Sequence, residues 1–252
     1  RLFFDSQTSI EKAHIIGGFR FELSKVTVPA IRERMVASLL NVSKELAGAV
    51  AQGLGIELPA PMPTATRHTP KPEITTSPAL SLTAHPGSAG IRTRKIALLI
   101  ADGAKAEPIA MLIEAISTAG AVARLLSTRL GTVRSVDGRE FAVDATLENM
   151  PSVLFDALVL PDGEEAVTRL SKDGRTLQLL KDQYRHGNTI LVGAASTKLL
   201  EDAGVPLQLP TGKPDPGLIV GTAGQMKDRT REFLAAVAKH RHAGRAENPP
   251  VV

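Results

Sequence analysis

Apolar residues recur along this chain with two different periods, and the change between them divides it. Near the start, Ile10, His14, Ile15 and Phe19 fall at helical spacing. They follow Thr8-Ser9-Ile10-Glu11, which has the form of a capping box, with Thr8 as N-cap and Glu11 at the third helical position. The spacing predicts a helix to about Lys25, weakened in its middle by Gly17-Gly18. Pro29 suits the first turn of a second helix. Ile31, Met35, Leu39 and Val42 then recur at spacings of three and four, and Leu46, Val50 and Leu54 extend the stripe. That helix continues or restarts near Ser43 and ends at Gly53 and Gly55. Two or three amphipathic helices of this size bury little alone. They are expected to pack on something else, within this chain or beyond it.

From about Arg94 the pattern changes. Short, nearly continuous apolar runs predict buried strands over Lys95–Ile100, Ala121–Ser127, Ala157–Leu160 and Thr189–Val192, with a last one over Leu218–Val220. Helical patterns lie between them. One starts at Glu107-Pro108, carries Ile109, Leu112, Ile113 and Ile116 on one face, and closes at Gly120. Others run from about Gly174 to His186, from Ser196 to Ala203, and from Gln225 to about His242 with Phe233 and Val237. Val136-Asp137-Gly138-Arg139 reads as a hairpin turn. Alternating β and α elements predict an α/β fold: a flavodoxin-like doubly wound parallel sheet with helices on both faces. Between the two zones stand Pro59, Pro61, Pro63, Pro70, Pro72, Pro78 and Pro86, among many Thr and Ser. This stretch reads as an extended linker at a domain boundary. The expected organisation is a helical region at 1–58, a linker at 59–93, the α/β domain at 94–244 and a loose tail at 245–252. No internal repeat is visible.

Composition narrows the chemistry. The 252 residues hold 30 Lys and Arg against 26 Asp and Glu, a net charge of +4 that is small for this length. The basic residues are dispersed, and aromatics are few: seven Phe, one Tyr and no Trp. Neither suits a nucleic-acid partner. The absence of cysteine excludes disulfides, thiolate metal sites and a cysteine nucleophile, and fits a reducing, cytoplasmic setting. No stretch approaches the roughly 20 apolar residues of a membrane helix. Arg1 to Gln7 is no signal peptide. The first residue is not Met, so a piece of a longer or processed protein is expected.

In an open α/β sheet, ligands bind beyond the carboxyl ends of the strands. The turns to inspect are Asp102 to Glu107, Pro161 to Glu165 and Gly193 to Thr197. Ala101-Asp102-Gly103-Ala104-Lys105-Ala106 has neither phosphate-loop spacing. Gly193-Ala194-Ala195-Ser196 lacks the glycines of a nucleophile elbow, so Ser196 reads as the N-cap of the next helix. Glu164-Glu165 reads as dipole complementation at a helix start, and His186 as a dipole partner at a helix C-terminus. His240 and His242 are two apart on the predicted last helix and point to different faces. His14 reads as a satisfied or interfacial histidine. Asp102 and Asp162 are the suggestive carboxylates, with turn roles the plainer reading. A hydrolase or lyase working through Asp102, Asp162 or Ser196 ranks last, since the spacing assembles no nucleophile–base pair.

The opening zone resembles one family. Arg1-Leu2-Phe3-Phe4-Asp5-Ser6-Gln7-Thr8, Glu11, His14-Ile15-Ile16 and Phe19-Arg20-Phe21-Glu22-Leu23-Ser24-Lys25-Val26 resemble the helical region that ends the haem-containing body of monofunctional catalases. Ile31-Arg32-Glu33-Arg34-Met35-Val36 and Leu54-Gly55-Ile56-Glu57-Leu58 continue the match. In large-subunit catalases this region is followed by a linker and a flavodoxin-like domain, the order seen here. The resemblance implies the C-terminal portion of a tetrameric haem enzyme that converts hydrogen peroxide to water and oxygen. Catalases hold haem iron through a tyrosinate in an Arg-x-x-x-Tyr motif. Tyr184, the one tyrosine, has Leu180 four residues before it. The chain alone is therefore expected to bind no haem or metal, to have no catalytic residue and to lack catalase activity. Its implied partners are the remainder of the subunit and its tetramer mates.

The third zone is also similar to the PfpI-like branch of the class I glutamine-amidotransferase superfamily. Alignment through Leu199-Leu200 and Ala203-Gly204-Val205 places Ala194 where that family has its cysteine. Alignment through Ala101-Asp102-Gly103-Ala104 places Lys105 where it has its acid, and Asp162-Gly163 stands for the glycine pair after the third strand. The resemblance implies a fold kept without its covalent chemistry. A structural or oligomer-stabilising role follows, the alternative being a freestanding chaperone-like or interaction module.

Overall fold

The computed structural model describes residues 1–64, 72–83, 90–221, 225–247, 250 and 252. The chain forms two compact units, residues 1–85 and 86–252.

Unit 1 is helical: α1 (Leu2–Asp5), α2 (Ser9–Ser24), α3 (Pro29–Leu39) and α4 (Lys44–Leu54). The capping box forms as the sequence predicts. Glu11 N–H donates to Thr8 Oγ1 and Thr8 N–H donates to the Glu11 carboxylate. Gly17-Gly18 does not interrupt α2. The helical stripe restarts at Ser43, whose hydroxyl accepts from Leu46 N–H, and α4 ends at Gly55 with φ +66°. Gly53 lies inside α4, and the Arg20 side chain runs across it to donate to Ala49 O at 2.6 and 3.0 Å. A Cβ at Gly53 would overlap that side chain.

The buried face of unit 1 is Phe4, Leu23, Val36, Leu39, Leu46 and Val50. Only part of the predicted stripe is there. Ile31 and Met35 remain 42% and 41% exposed, and His14 is exposed. Packing of α3 against α4 selects the Val36 and Leu39 side, which leaves the Ile31–Met35 ridge uncovered within the unit.

The described part of the Pro-rich stretch is laced onto this unit. Met62 N–H donates to Ala37 O and Asn41 Nδ2 to Met62 O. Further on, Ser77 N–H donates to Ser6 Oγ and Gln7 Nε2 to Leu80 O. The Glu11 carboxylate takes Ser81 Oγ–H at 2.8 Å and Thr83 N–H at 3.1 Å. Partial burial opposes the charge on Glu11. The donors from Thr8, Ser81 and Thr83 outweigh it and bring the carboxyl down to about 2. The rest of the expected linker, at 65–71 and 84–89, lies outside the described residues.

Unit 2 holds strands β1 (Lys95–Leu99), β2 (Val122–Ser127), β3 (Gly131–Arg134), β4 (Glu140–Val143), β5 (Ala145–Thr146), β6 (Ala157–Leu160), β7 (Thr189–Gly193) and β8 (Leu218–Gly221). Its helices are α5 (Ala106–Thr118), α6 (Glu164–Leu170), α7 (Gly174–Arg185), α8 (Thr197–Asp202) and α9 (Met226–Ala238). A parallel sheet runs in the order β5-β2-β1-β6-β7-β8, with Leu98 beside Leu125 and Val159, and Leu191 beside Val159 and Ile219. The order is compatible with flavodoxin-like winding, with β5 added at one edge. The apolar runs of β6 and β7 are buried throughout, as a sheet covered on both faces requires. β3 and β4 form the predicted hairpin, with Gly138 at φ +82° in its turn.

Two expectations fail at the C-terminus. The last helix ends at Ala238 rather than near His242, because His240 turns into the left-handed region at φ +69°. The chain then folds back, and His242 and Arg245 are each 6% exposed. Arg245, expected in a loose tail, instead pairs with buried Asp215.

Removing the latch on the Pro-rich stretch should be measurable. Glu11→Ala is expected to weaken unit 1 by about 1.5–3 kcal/mol in urea unfolding, the range for hydrogen bonds to a charged group. It should also speed chymotrypsin cleavage after Leu82, which is 87% exposed.

Candidate functional site

At the carboxyl edge of the sheet, three turns meet closely enough to need glycine. Gly163 has φ +124°, and a Cβ there would lie 2.4 Å from Gly103 O. A Cβ at Gly193 would lie 2.6 Å from both Asp162 N and Pro161 O. The turns after β1, β6 and β7 therefore pack backbone against backbone. Lys105 N–H donates to Asp162 O at 3.0 Å across this contact.

The sequence-selected residues separate here into two groups. Asp162 is central, its side chain 8% exposed. Its Oδ1 accepts from Gly163 N–H at 3.0 Å and Ala195 N–H at 3.2 Å, and its Oδ2 pairs with Lys105 Nζ at 2.6 Å. Burial opposes its ionisation. Lys105 and the two N–H donors overcome that and hold the carboxyl below its ordinary range. Asp102 faces elsewhere: it accepts from Arg134 N–H at 2.8 Å and from Arg129 at 3.3 Å, tying the hairpin to the turn after β1. The Arg134 N–H, with Arg129 beside it, holds its carboxyl low. Gly103 N–H donates to Arg134 O and Val136 N–H to Ala104 O, completing that seam. The two suggestive carboxylates thus have separate partners, and both serve turns.

Ser196 is buried and stands at the N-cap position of α8, yet it makes no capping bond. Its hydroxyl donates instead to Pro161 O at 2.5 Å. The N-cap reading holds for its place and fails for its bond, because the short turn at Ala194–Ser196 aims Oγ back at the β6 turn. Glu164 and Glu165 open α6 as expected, and Glu165 pairs with Arg169. His186 caps α7.

At the opposite, amino edge of the sheet the structure assembles groups that local reading missed. Arg94 donates to Asp156 Oδ1 at 2.9 Å and lies 2.6 Å from His240 Nδ1. Guanidinium can only donate, so His240 is neutral with its proton on Nε2. Burial, with Arg94 and Arg241 nearby, lowers its pKa. Thr93, next to Arg94, is a β-branched residue at φ +69°. Beside β7, Arg245 donates to Asp215 and to Asn188 O, and stacks 4.7 Å over the Tyr184 ring. His242 Nε2 sits 2.9 Å from Thr189 Oγ1. Burial and the Arg245 charge push its pKa down to about 4. These partners lie 30 to 146 residues apart, beyond any local pattern. Among the described residues no group of His, Asp and Glu could hold a metal ion.

Comparison with known proteins accounts for both units. Residues 1–54 match the family described as catalase-related immune-responsive, and residues 92–247 match the C-terminal domain found in long catalases. Catalase HPII of Pseudomonas putida is 37% identical over 245 residues, which cover 96% of this chain and 32% of that protein. Catalase C of Rhizobium meliloti is 38% identical over 215 residues, 84% of this chain and 30% of that protein. Catalase-B of Dictyostelium discoideum is 32% identical over 244 residues, 95% of this chain and 33% of that protein. The chain spans about a third of the length of these relatives.

The His242 environment carries a pH signature. A histidine at 6.5 when unfolded and about 4 when folded binds its proton first in the unfolded chain. Stability of unit 2 should therefore be full above about pH 6.5 and fall as pH drops toward 4, at up to about 1.4 kcal/mol per pH unit. His242→Gln should flatten that dependence in urea titrations between roughly pH 7 and 5.

Proposed function

The chain belongs to the family of C-terminal domains found in long catalases, and on that premise we propose that it is the C-terminal part of a haem catalase, which decomposes hydrogen peroxide to water and oxygen. In this reading the chain supplies architecture and the chemistry lies elsewhere in the subunit. A tetramer of such subunits, in the cytoplasm, belongs to the same proposal.

The observation that carries it is the filled carboxyl edge of unit 2. Where a superfamily with this fold has its nucleophile and acid, this chain has Ala194 and Lys105. Lys105 is committed to Asp162, and Asp162 to the backbone of two turns. A methyl group cannot attack a carbonyl, and a paired ammonium does not act as a base. The edge is built as a joint.

Haem does not fit the residues present. Tyr184 is 4% exposed in the core of unit 2, its ring covered by Arg245. Burial raises its phenol pKa, opposite to what a tyrosinate ligand needs.

Unit 1 supports the partner side of the proposal. Phe21, Val28, Ile31 and Met35 remain 41–63% exposed on or beside α2 and α3. Such side chains suit a surface covered by the rest of a subunit. No described helix is long and apolar enough to cross a membrane.

Two measurements test the proposal. The purified chain mixed with haemin is expected to show no shifted Soret band and to release no oxygen from peroxide. Joined to an upstream catalase barrel, the chain should leave kcat unchanged when residues 86–252 are removed, while tetramer resistance to heat falls. Oxygen release by the isolated chain, or loss of kcat with assembly intact, would overturn it.

A further inference from the structure

After α9 the chain folds back across the amino ends of β1, β6 and β7, and two histidines fasten it there. His240 Nδ1 lies 2.6 Å from Arg94, just ahead of β1, and His242 Nε2 lies 2.9 Å from Thr189 Oγ1, the first residue of β7. Two glycines shape the slot for the second ring. A Cβ at Gly217 would overlap the His242 ring and Arg245, and one at Gly187 would lie 3.2 Å from His242 N. His242 N–H donates to Gly187 O at 2.8 Å.

The fastening works only while both rings are neutral. Arg94 can only donate, so a proton on His240 Nδ1 would end that hydrogen bond and leave two cations 2.6 Å apart. His240 faces Arg94, Asp156 ahead of β6 and its neighbour Arg241. His242 faces Arg245, Lys239 and Asp215 ahead of β8. Each ring thus meets two cations and one carboxylate, and both carboxylates are already engaged, Asp156 by Arg94 and Asp215 by Arg245. Burial and these cations hold both histidines below their ordinary value. A freed histidine takes its proton near 6.5. Closure is therefore complete above about pH 6.5 and is lost as pH falls below it.

The remaining contacts resist opening weakly. Arg245 and Asp215 are sealed at 1% and 0% side-chain exposure, so opening returns both charges to water and recovers the desolvation suffered on closing. Arg245 Nη2 is buried without an acceptor among the described residues, and opening hydrates it too.

We infer that residues 239–247 form a strap that acid releases: one proton taken up by each of His240 and His242 frees the segment while the sheet beneath stays folded. The opening is local, since β6 and β7 remain paired and buried among apolar side chains. It uncovers Tyr184, over whose ring Arg245 lies at 4.7 Å.

The test is hydrogen exchange on the full 252-residue chain at pH 7, 6 and 5, corrected for intrinsic exchange. The series stops above the range in which carboxylates ordinarily protonate. Protection at residues 240–246 is expected to fall with pH, by up to about tenfold per pH unit for each histidine. Amides of β1 and β7 should hold. Acrylamide quenching of Tyr184 emission should rise over the same range, read cleanly because the chain has one tyrosine and no tryptophan. The double variant His240→Asn with His242→Gln should lose the pH dependence at 240–246, and each single variant should keep about half of the slope. Strap protection independent of pH in the unaltered chain, β7 amides exchanging in step with the strap, or a full slope in the double variant would each overturn the inference. If the double variant does not stay folded, the series on the unaltered chain decides alone. No reading involves peroxide or haem, so a failure here leaves the catalase proposal standing.

Discussion

β6 and β7 are buried on both faces along their whole length, and β1 along all but its first residue. A sheet so covered has no lateral surface on which to place polar groups. Along these three strands the charged groups stand at or beyond the strand ends, where turns leave donors and acceptors to satisfy. The carboxyl end is closed by Asp162 with Lys105 and Asp102 with Arg129. The amino end is closed by Asp156 with Arg94, and by Asp215 with Arg245. The pairs differ in their access to water. The Asp162–Lys105 and Arg94–Asp156 pairs keep one or both partners in contact with water, whereas Arg245 and Asp215 are sealed at 1% and 0% side-chain exposure. A sealed pair contributes little net stability, yet loss of one member is severe because it strands a charge.

The same constraint bears on activity. A doubly wound sheet offers its carboxyl edge to ligands by default. Here Gly103, Gly163 and Gly193 bring three turns into backbone contact, and an aspartate takes up the donors that remain. The carboxyl edge of this α/β unit is thus occupied from within.

Much of this was legible in the residues, and the limits are physical. Thr8 and Glu11 announce a helix start because a capping box is a local object. Pro29 and Ser43 mark starts for the same reason, and the strand runs show because burial on both faces leaves an unbroken apolar string. Ile31 and Met35 misled, since periodicity identifies an apolar face but not which neighbour will cover it. α9 stops short of His242 because His240 turns to φ +69°, where it meets Arg94 from 146 residues away, a contact that no local pattern announces. At the carboxyl edge, Asp162 and Lys105 could each be singled out from their turns. Their pairing across 57 residues could not, because it depends on how β1 and β6 align in the sheet.

The bonds from Glu11 to Ser81 and Thr83 also decide how unit 1 bears a mechanical load. The chain passes through α2, α3 and α4 and then returns to within hydrogen-bond reach of the start of α2. A pull arriving from beyond Thr83 is met first by these bonds and by Ser77–Ser6 and Gln7–Leu80, before it reaches α4. The helices between are shielded from tension until the clasp shears. A prolyl segment that looks like a tether in sequence is thus spliced back to the point where the unit begins, and strain on it is carried by a polar seam at the surface while the apolar core stays unloaded.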